Sequence, residues 1–301
     1  MTEDEFVHAF SLSRYPFARE ELCPFRNGSD LNMYALVDGF GSHAENIRKT
    51  VSSLKSRALV LIHGPRSSGR SSVANYLAHH VVQPAAHTLQ MIVGAATDHH
   101  PTEPVRKALT QLYMRLDGEN AFASQQTLEA DFMKKVIDAK EPATIGAYQV
   151  LLNKTDSLIA KLKWSVVYLI DDVKKFDQID SAAQVFEKSQ VLIFTTESEE
   201  VRDAFKTRPK PDFAVGLAKL THSDVANLLN VRWQASGGTL PAPFDPLGIS
   251  KAFATDFPAG PVMDIFSEVV SGAPAGVAPP TFDTATILEG ALQYIYKTGQ
   301  K

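Results

Sequence analysis

Between the apolar run ALVLI and the helix-like stretch SSVANYL, the sequence sets Gly64 and Gly69 with four residues between them, then Arg70, Ser71 and Ser72. The pattern is G-x-x-x-x-G-K-[ST] with arginine in the lysine position. Glycine lets a backbone turn tightly, so a loop of Gly64, Pro65, Ser67, Ser68 and Gly69 converges its N–H groups on phosphate oxygens. A helix opening at Arg70 adds the positive end of its dipole. The Ser71 hydroxyl, backed by Ser72, suits Mg²⁺, which prefers oxygen ligands and keeps several waters. The same residues also spell a serine-rich strand-to-helix turn that binds nothing.

Two later patterns bear on that choice. VVYLIDDV ends an apolar run in Asp171 and Asp172. Asp171 there would hold the water shell of Mg²⁺, and Asp172 would act as a base or orient a water. A solvated acidic turn is the alternative. VLIF is followed by Thr195 and Thr196, where a hydroxyl at a strand tip would bond an attacking water or a terminal phosphate. Threonines are also ordinary strand residues. The order and spacing of all three patterns together point to a nucleotide.

Positioning these residues takes alternating strands and helices. Ala58–Ile62 reads as a strand buried on both faces, and Arg70 to about Val82 as the helix after it. HTLQMIVGAA, WSVVYLIDDV, SQVLIFTTES and PDFAVGLAKL supply further strands. Residues 98 to 164 carry helical spacing, with Val105, Leu109, Leu112 and Leu116 on one face. Strands alternating with helices predict an α/β fold with a parallel sheet. From about 219 the texture turns helical, through LTHSDVANLLNVRWQA, GISKAFATDF, PVMDIFSEVVSGA and TATILEGALQYIYKT. The aromatic, proline-punctuated start reads as an extended lead-in lying on the main domain. The expected division is 1–29, 30–218 and 219–301.

The chain has 301 residues, 44% hydrophobic and 21% charged, with net charge −4, which gives no support to a polyanionic partner. Cys23 is the single cysteine and forms no intrachain disulfide. An acidic N-terminus and no apolar stretch near ~20 residues predict a cytoplasmic protein without a membrane span. The pairs His79–His80 and His99–His100 read as surface residues, and Trp164 and Trp233 as core or interdomain anchors.

The motifs resemble the additional-strand P-loop ATPases, specifically the AAA+ group and the related STAND ATPases, over roughly residues 30 to 270. LVLIHGPRSSGRSS resembles Walker A, VVYLIDDV Walker B and VLIFTTESEEV the sensor-1 strand, with wording on the NB-ARC side of STAND proteins. LAKLTHSDVANLLNVRW resembles the opening of the helical lid. This resemblance implies a P-loop NTPase sheet of order 5-1-4-3-2 with a C-terminal helical lid, and ATP or ADP with Mg²⁺ between them. Ser71 and Asp171 become metal ligands, and Asp172 and Thr196 catalytic residues. ATP-dependent assembly into a homo-oligomer, or with a partner protein, also follows.

Departures from the pattern are specific. Arg70 is larger and planar where lysine is usual. Asp172 is one methylene shorter than the AAA+ glutamate, as STAND proteins tolerate. Glu197 stands where NB-ARC proteins often carry arginine. FPAGPVMDIF holds no arginine at the sensor-2 place. Its Pro261 fits the Gly-Leu-Pro-Leu pattern that implies contact with base or ribose, although Gly260–Pro261 also reads as a helix-starting turn. EEVRDAFKTRPKPDF offers Arg202 and Arg208 as arginine fingers, a device worth ~10³ or more in rate, or as surface arginines of a solvated loop. The expected function is a regulatory ATPase with slow or absent hydrolysis. The alternatives are a catalytically dead adaptor and, by analogy, a subunit of a DNA-handling complex.

Overall fold

The computed structural model describes residues 1–18, 21–35, 44–49, 58–81, 88–122, 131, 133–135, 138, 142–189, 191–208, 212–217, 220–239, 242, 245–246, 248, 259–272 and 284–298. Ile47, Val51 and Leu54 in HAENIRKTVSSLKS also stand at helical spacing, and SGAPAGVAPPTFDT reads as a Gly/Pro-rich loop; Val51, Leu54, the segment GISKAFATDF beyond Gly248 and residues 273–283 of that loop lie outside the described residues.

Five apolar runs become β1 (Ala58–His63), β2 (Thr88–Ala95), β3 (Trp164–Asp171), β4 (Val191–Thr196) and β5 (Phe213–Gly216). They form one sheet of order β2-β3-β4-β1-β5, every neighbouring pair parallel. This is the α/β fold and the strand order 5-1-4-3-2 expected above. β4 is buried along its whole length, and β1 at every residue but His63. Such strands need near-continuous apolar sequence because helices cover both faces of a parallel sheet. The register sets Ile62 beside Thr195 and His63 beside Thr196, so the carboxyl ends of β1 and β4 finish level.

In chain order the described helices are α1 (Glu3–Ala9), α2 (44–49), α3 (Arg70–Val81), α4 (Glu103–Gly118), α5 (Ile145–Lys161), α6 (Phe176–Val185), α7 (Glu199–Lys206), α8 (His222–Ala235), α9 (Ala259–Gly272) and α10 (Thr284–Thr298). Val105, Leu109, Leu112 and Leu116 of α4 are fully buried, as their 3-4 spacing requires, and join the sheet's core cluster. β2 can approach α4 because of Gly94, where a Cβ would sit 2.1 Å from the Pro104 carbonyl oxygen.

The chain divides into two compact units. One gathers Met1–Gly41, Pro65–Ser72 and Leu217–Lys301; the other holds Ser42–Gly64 and Val73–Gly216, including the sheet. In the first unit, Phe6, Tyr15 and Phe17 join Val225, Leu229 and Trp233 of α8 and Val262, Ile265 and Phe266 of α9 in a second core. Phe17 lies 4.5 Å from Phe266, ring to ring.

The extended lead-in needs correction at its start, where residues 3–9 are helical. Thr2 and Glu5 cap each other reciprocally, and three acidic residues occupy the first turn. The aromatics of the lead-in serve the core shared with α8 and α9.

Candidate functional site

β1 ends at His63, and the Gly64 N–H continues the ladder to the Thr196 carbonyl at 3.3 Å. The loop then turns twice through the left-handed region, at Ser67 (φ 63°) and Gly69 (φ 87°). The Ser68 N–H bonds the Pro65 carbonyl at 3.2 Å. Arg70, Ser71 and Ser72 form the first turn of α3, whose N–H groups have no partners inside the helix. The loop is fixed at two further points. Ser72 Oγ accepts the Leu22 N–H at 3.2 Å, and the Ser67 carbonyl accepts the Gly260 N–H at 3.0 Å. A Cβ on Gly260 would meet the Ser67 oxygen at 2.9 Å, so glycine lets the start of α9 come this close.

These contacts frame a cavity of about 220 Å³ within the first unit. The loop lines it with Ser67, Gly69, Arg70, Ser71 and Ser72; α8 adds Arg232; α9 adds Gly260 and Met263; the lead-in adds Ala18 and Glu21. Arg232 is 9% exposed. Its Nη1 donates to the Ala18 carbonyl at 3.0 Å, while its Nε is buried with no hydrogen-bond partner. Burial, reinforced by the positive Arg14, pushes the Arg232 pKa down to about 10, and Tyr34 and Asp30 oppose the shift. Asp30 is already engaged, paired with Arg14 at 2.6 Å and accepting the Cys23 N–H at 2.8 Å. Two guanidiniums, serine hydroxyls and the N-termini of α3 and α9 therefore face one small space, with Glu21 as the opposing carboxylate. A multi-oxygen anion fits that donor set.

Arg232 was not anticipated from the sequence, where the search for a lid arginine stayed on FPAGPVMDIF. A signal was present. Arg232 falls four residues after Leu228 and seven after Val225, on the apolar face of α8, where a charged residue is rare unless it has a task. Pro261 is buried in the first turn of α9, and Gly260 and Met263 are the α9 residues at the cavity.

The acidic pair belongs to the sheet unit. Thr195 Oγ1 donates to Asp171 Oδ1 at 2.5 Å and accepts the Asp172 N–H at 2.8 Å. Asp172 holds a left-handed backbone (φ 56°), and its Oδ2 pairs with Lys174 Nζ at 2.6 Å. Its Oδ1 is buried without a hydrogen-bond partner. Thr196 is fully buried; its hydroxyl donates to the Val173 carbonyl at 2.7 Å and accepts the Ser198 N–H at 3.0 Å. Thr195 is thus the threonine set against the acidic pair. On α7, Arg202 forks onto Asp203 at 2.8 and 3.1 Å and lies 3.6 Å from Glu199. Arg208 bonds Asp212 at 2.8 Å and Asp180, and lies 5.8 Å from the centre of the Phe176 ring. Among the described residues no three His, Cys, Asp or Glu side chains are grouped to hold a metal ion, and no helix is long and apolar enough to cross a membrane.

No family model matches the sequence, and no curated protein matches it. Among solved structures, the chain is similar to domain III of the replication initiation protein DnaA from Thermotoga maritima. The TM-score is 0.46 at 11% identity, covering 90% of this chain and 97% of that chain.

Proposed function

We infer that this protein is a nucleotide-binding regulatory ATPase of AAA+/STAND type, whose ATP-bound state favours assembly with itself or a partner protein. The observation that carries the reading is the cavity where Arg70, Ser71 and the loop meet Arg232 and the start of α9. A ligand bridging the loop to α8 and α9 would bias the arrangement of the elements that touch it, which is what a switch requires. Ser71 would offer Mg²⁺ its hydroxyl oxygen, the ion supplying charge neutralisation at the phosphates.

Hydrolysis is slow or absent in this reading. Asp172 is paired with Lys174, the Thr196 hydroxyl is engaged by backbone, and Arg202 and Arg208 each bond carboxylates of their own chain. Those pairings equally favour the second reading, an adaptor that keeps a bound nucleotide without turning it over.

Calorimetric titration with ATP, ADP and a nonhydrolysable ATP analogue, alongside phosphate release, tests the proposal. Expected are binding of all three and little release. Arg70→Ala should weaken ATP by roughly ten-fold or more, the cost of a charge-assisted bond. Asp172→Asn should leave affinity intact and shift assembly or abolish residual release. If no nucleotide binds, the switch reading fails; if binding occurs but assembly ignores ATP and both substitutions, the adaptor stands.

A further inference from the structure

Just beyond the carboxyl ends of β3 and β4, one ammonium stands between two carboxylates. Lys174 Nζ lies 2.6 Å from Asp172 Oδ2 and 3.7 Å from Glu197 Oε1. The Lys174 main chain is fixed. Its N–H and that of Lys175 donate to Oε1 of the buried Gln178, at 2.9 and 3.1 Å, and the Gln178 amide donates to the Asp98 carbonyl at 2.8 Å. Movement is therefore left to the side chain, a flexible four-carbon stem with a compact charge at its tip. The Asp172 main chain is held as firmly. Its left-handed backbone (φ 56°) costs free energy in an L residue. Thr195 keeps it there, accepting the Asp172 N–H on its hydroxyl at 2.8 Å and the Val173 N–H on its carbonyl at 2.7 Å. The ion pair between the two side chains is weaker than either scaffold. Lys174 is 30% and Asp172 42% exposed, so water screens the pair. With Glu197 only 3.7 Å from the same ammonium, the pair can be exchanged for another.

We propose that Lys174 is an autoinhibitory latch with two seats. Seated on Asp172 it withholds that carboxylate from a water; seated on Glu197 it releases it. This rests on the reading of the protein as a nucleotide-binding ATPase in which Asp172 orients the water. A carboxylate that already accepts a charge-assisted bond from an ammonium is a poorer acceptor for a water proton. Slow hydrolysis is then a set state of the chain, and Glu197 is the residue that opens it. The latch is also what separates this protein from an adaptor, in which removing Lys174 would restore nothing.

The test uses the full chain in two states. Without nucleotide, a double-mutant cycle of Lys174→Met and Asp172→Asn is read from urea midpoints. The two substitutions together should lower the midpoint by less than the sum of each alone, and the shortfall should grow when Glu197→Gln removes the second seat. With saturating ATP, Lys174→Met should raise phosphate release by about two- to five-fold, the factor an exposed ion pair supplies, with ATP affinity unchanged. Lys174→Arg should stay latched, and adding Asp172→Asn to Lys174→Met should remove the gain. A substitution that merely damages the fold does not speed release. Additive midpoints, a shortfall indifferent to Glu197→Gln, or a Lys174→Met protein that binds ATP without faster release would each overturn the latch while leaving nucleotide binding intact. Should Lys174→Met not fold, Lys174→Gln takes its place in both measurements. If neither the natural protein nor any variant binds nucleotide, the latch falls together with the ATPase reading beneath it.

Discussion

Gly69 and Gly260 shape the cavity for different reasons, and their substitutions should fail differently. Gly69 has open space where a Cβ would go, but its φ of 87° strains any L side chain. Gly69→Ala should cost about 1 kcal/mol from the left-handed backbone, measurable by urea denaturation, with loop geometry disturbed and ATP binding weakened. Gly260 meets atoms instead. A Cβ there falls 2.9 Å from both the Ser67 oxygen and Ser67 Cβ. Gly260→Ala should push α9 off the loop, lowering the melting temperature and ATP affinity together; unchanged values for both would mean the contact is dispensable. Gly69 was readable from spacing alone. Gly260 was visible only as a helix start, because nothing local tells which backbone a glycine must admit. The threonines carry the same lesson. Successive strand residues point to opposite faces, and the side on which Asp171 waits is set by the pairing of β3 with β4, whose register sets Ile170 beside Phe194.

β1 joins two roles, as a central strand of the sheet and as the lead into the loop. Its last residue, His63, has its pKa lowered first by burial and then by the positive Arg202 and Lys206, with Asp203 and Glu199 opposing. Its ring lies against Gly216 of β5, where a Cβ would meet it at 3.0 Å. Because the folded state resists the proton that the unfolded chain accepts near its ordinary value, the unfolded state binds more protons in between. Stability is therefore full above about pH 6.5 and declines as pH falls through the window below it. His63→Gln, which cannot titrate, should flatten that part of the curve in urea melts between pH 7 and 5; an unchanged slope would assign the acid limb to other groups. The strands themselves were legible because burial on both faces demands continuous apolar sequence. α1 was passed over, although Thr2 and Glu5 stand at capping-box spacing.

Across the whole chain, the first residues and the last build one compact unit around the loop, while the sheet occupies the other. Phe17 is fully buried against the Phe266 ring, and the Ser267 hydroxyl donates to its carbonyl across 250 positions of sequence. Phe17→Ala should cost about 3–5 kcal/mol, the usual range for a buried aromatic, in chemical denaturation. A loss near zero would mean that the lead-in is a passive strap. Strand identity, the α4 face, the loop and the acidic pair all follow from patterns a few residues long, since periodicity records which face is buried and spacing records where a backbone must turn. The cavity does not. Arg232 reaches the Ala18 carbonyl across 214 positions of sequence, and a buried guanidinium with one donor unmet arises only when folding brings α8, the lead-in and the loop into one space. Short-range order is encoded by local sterics and burial, whereas the electrostatics of the cavity depend on distances that no sequence interval expresses.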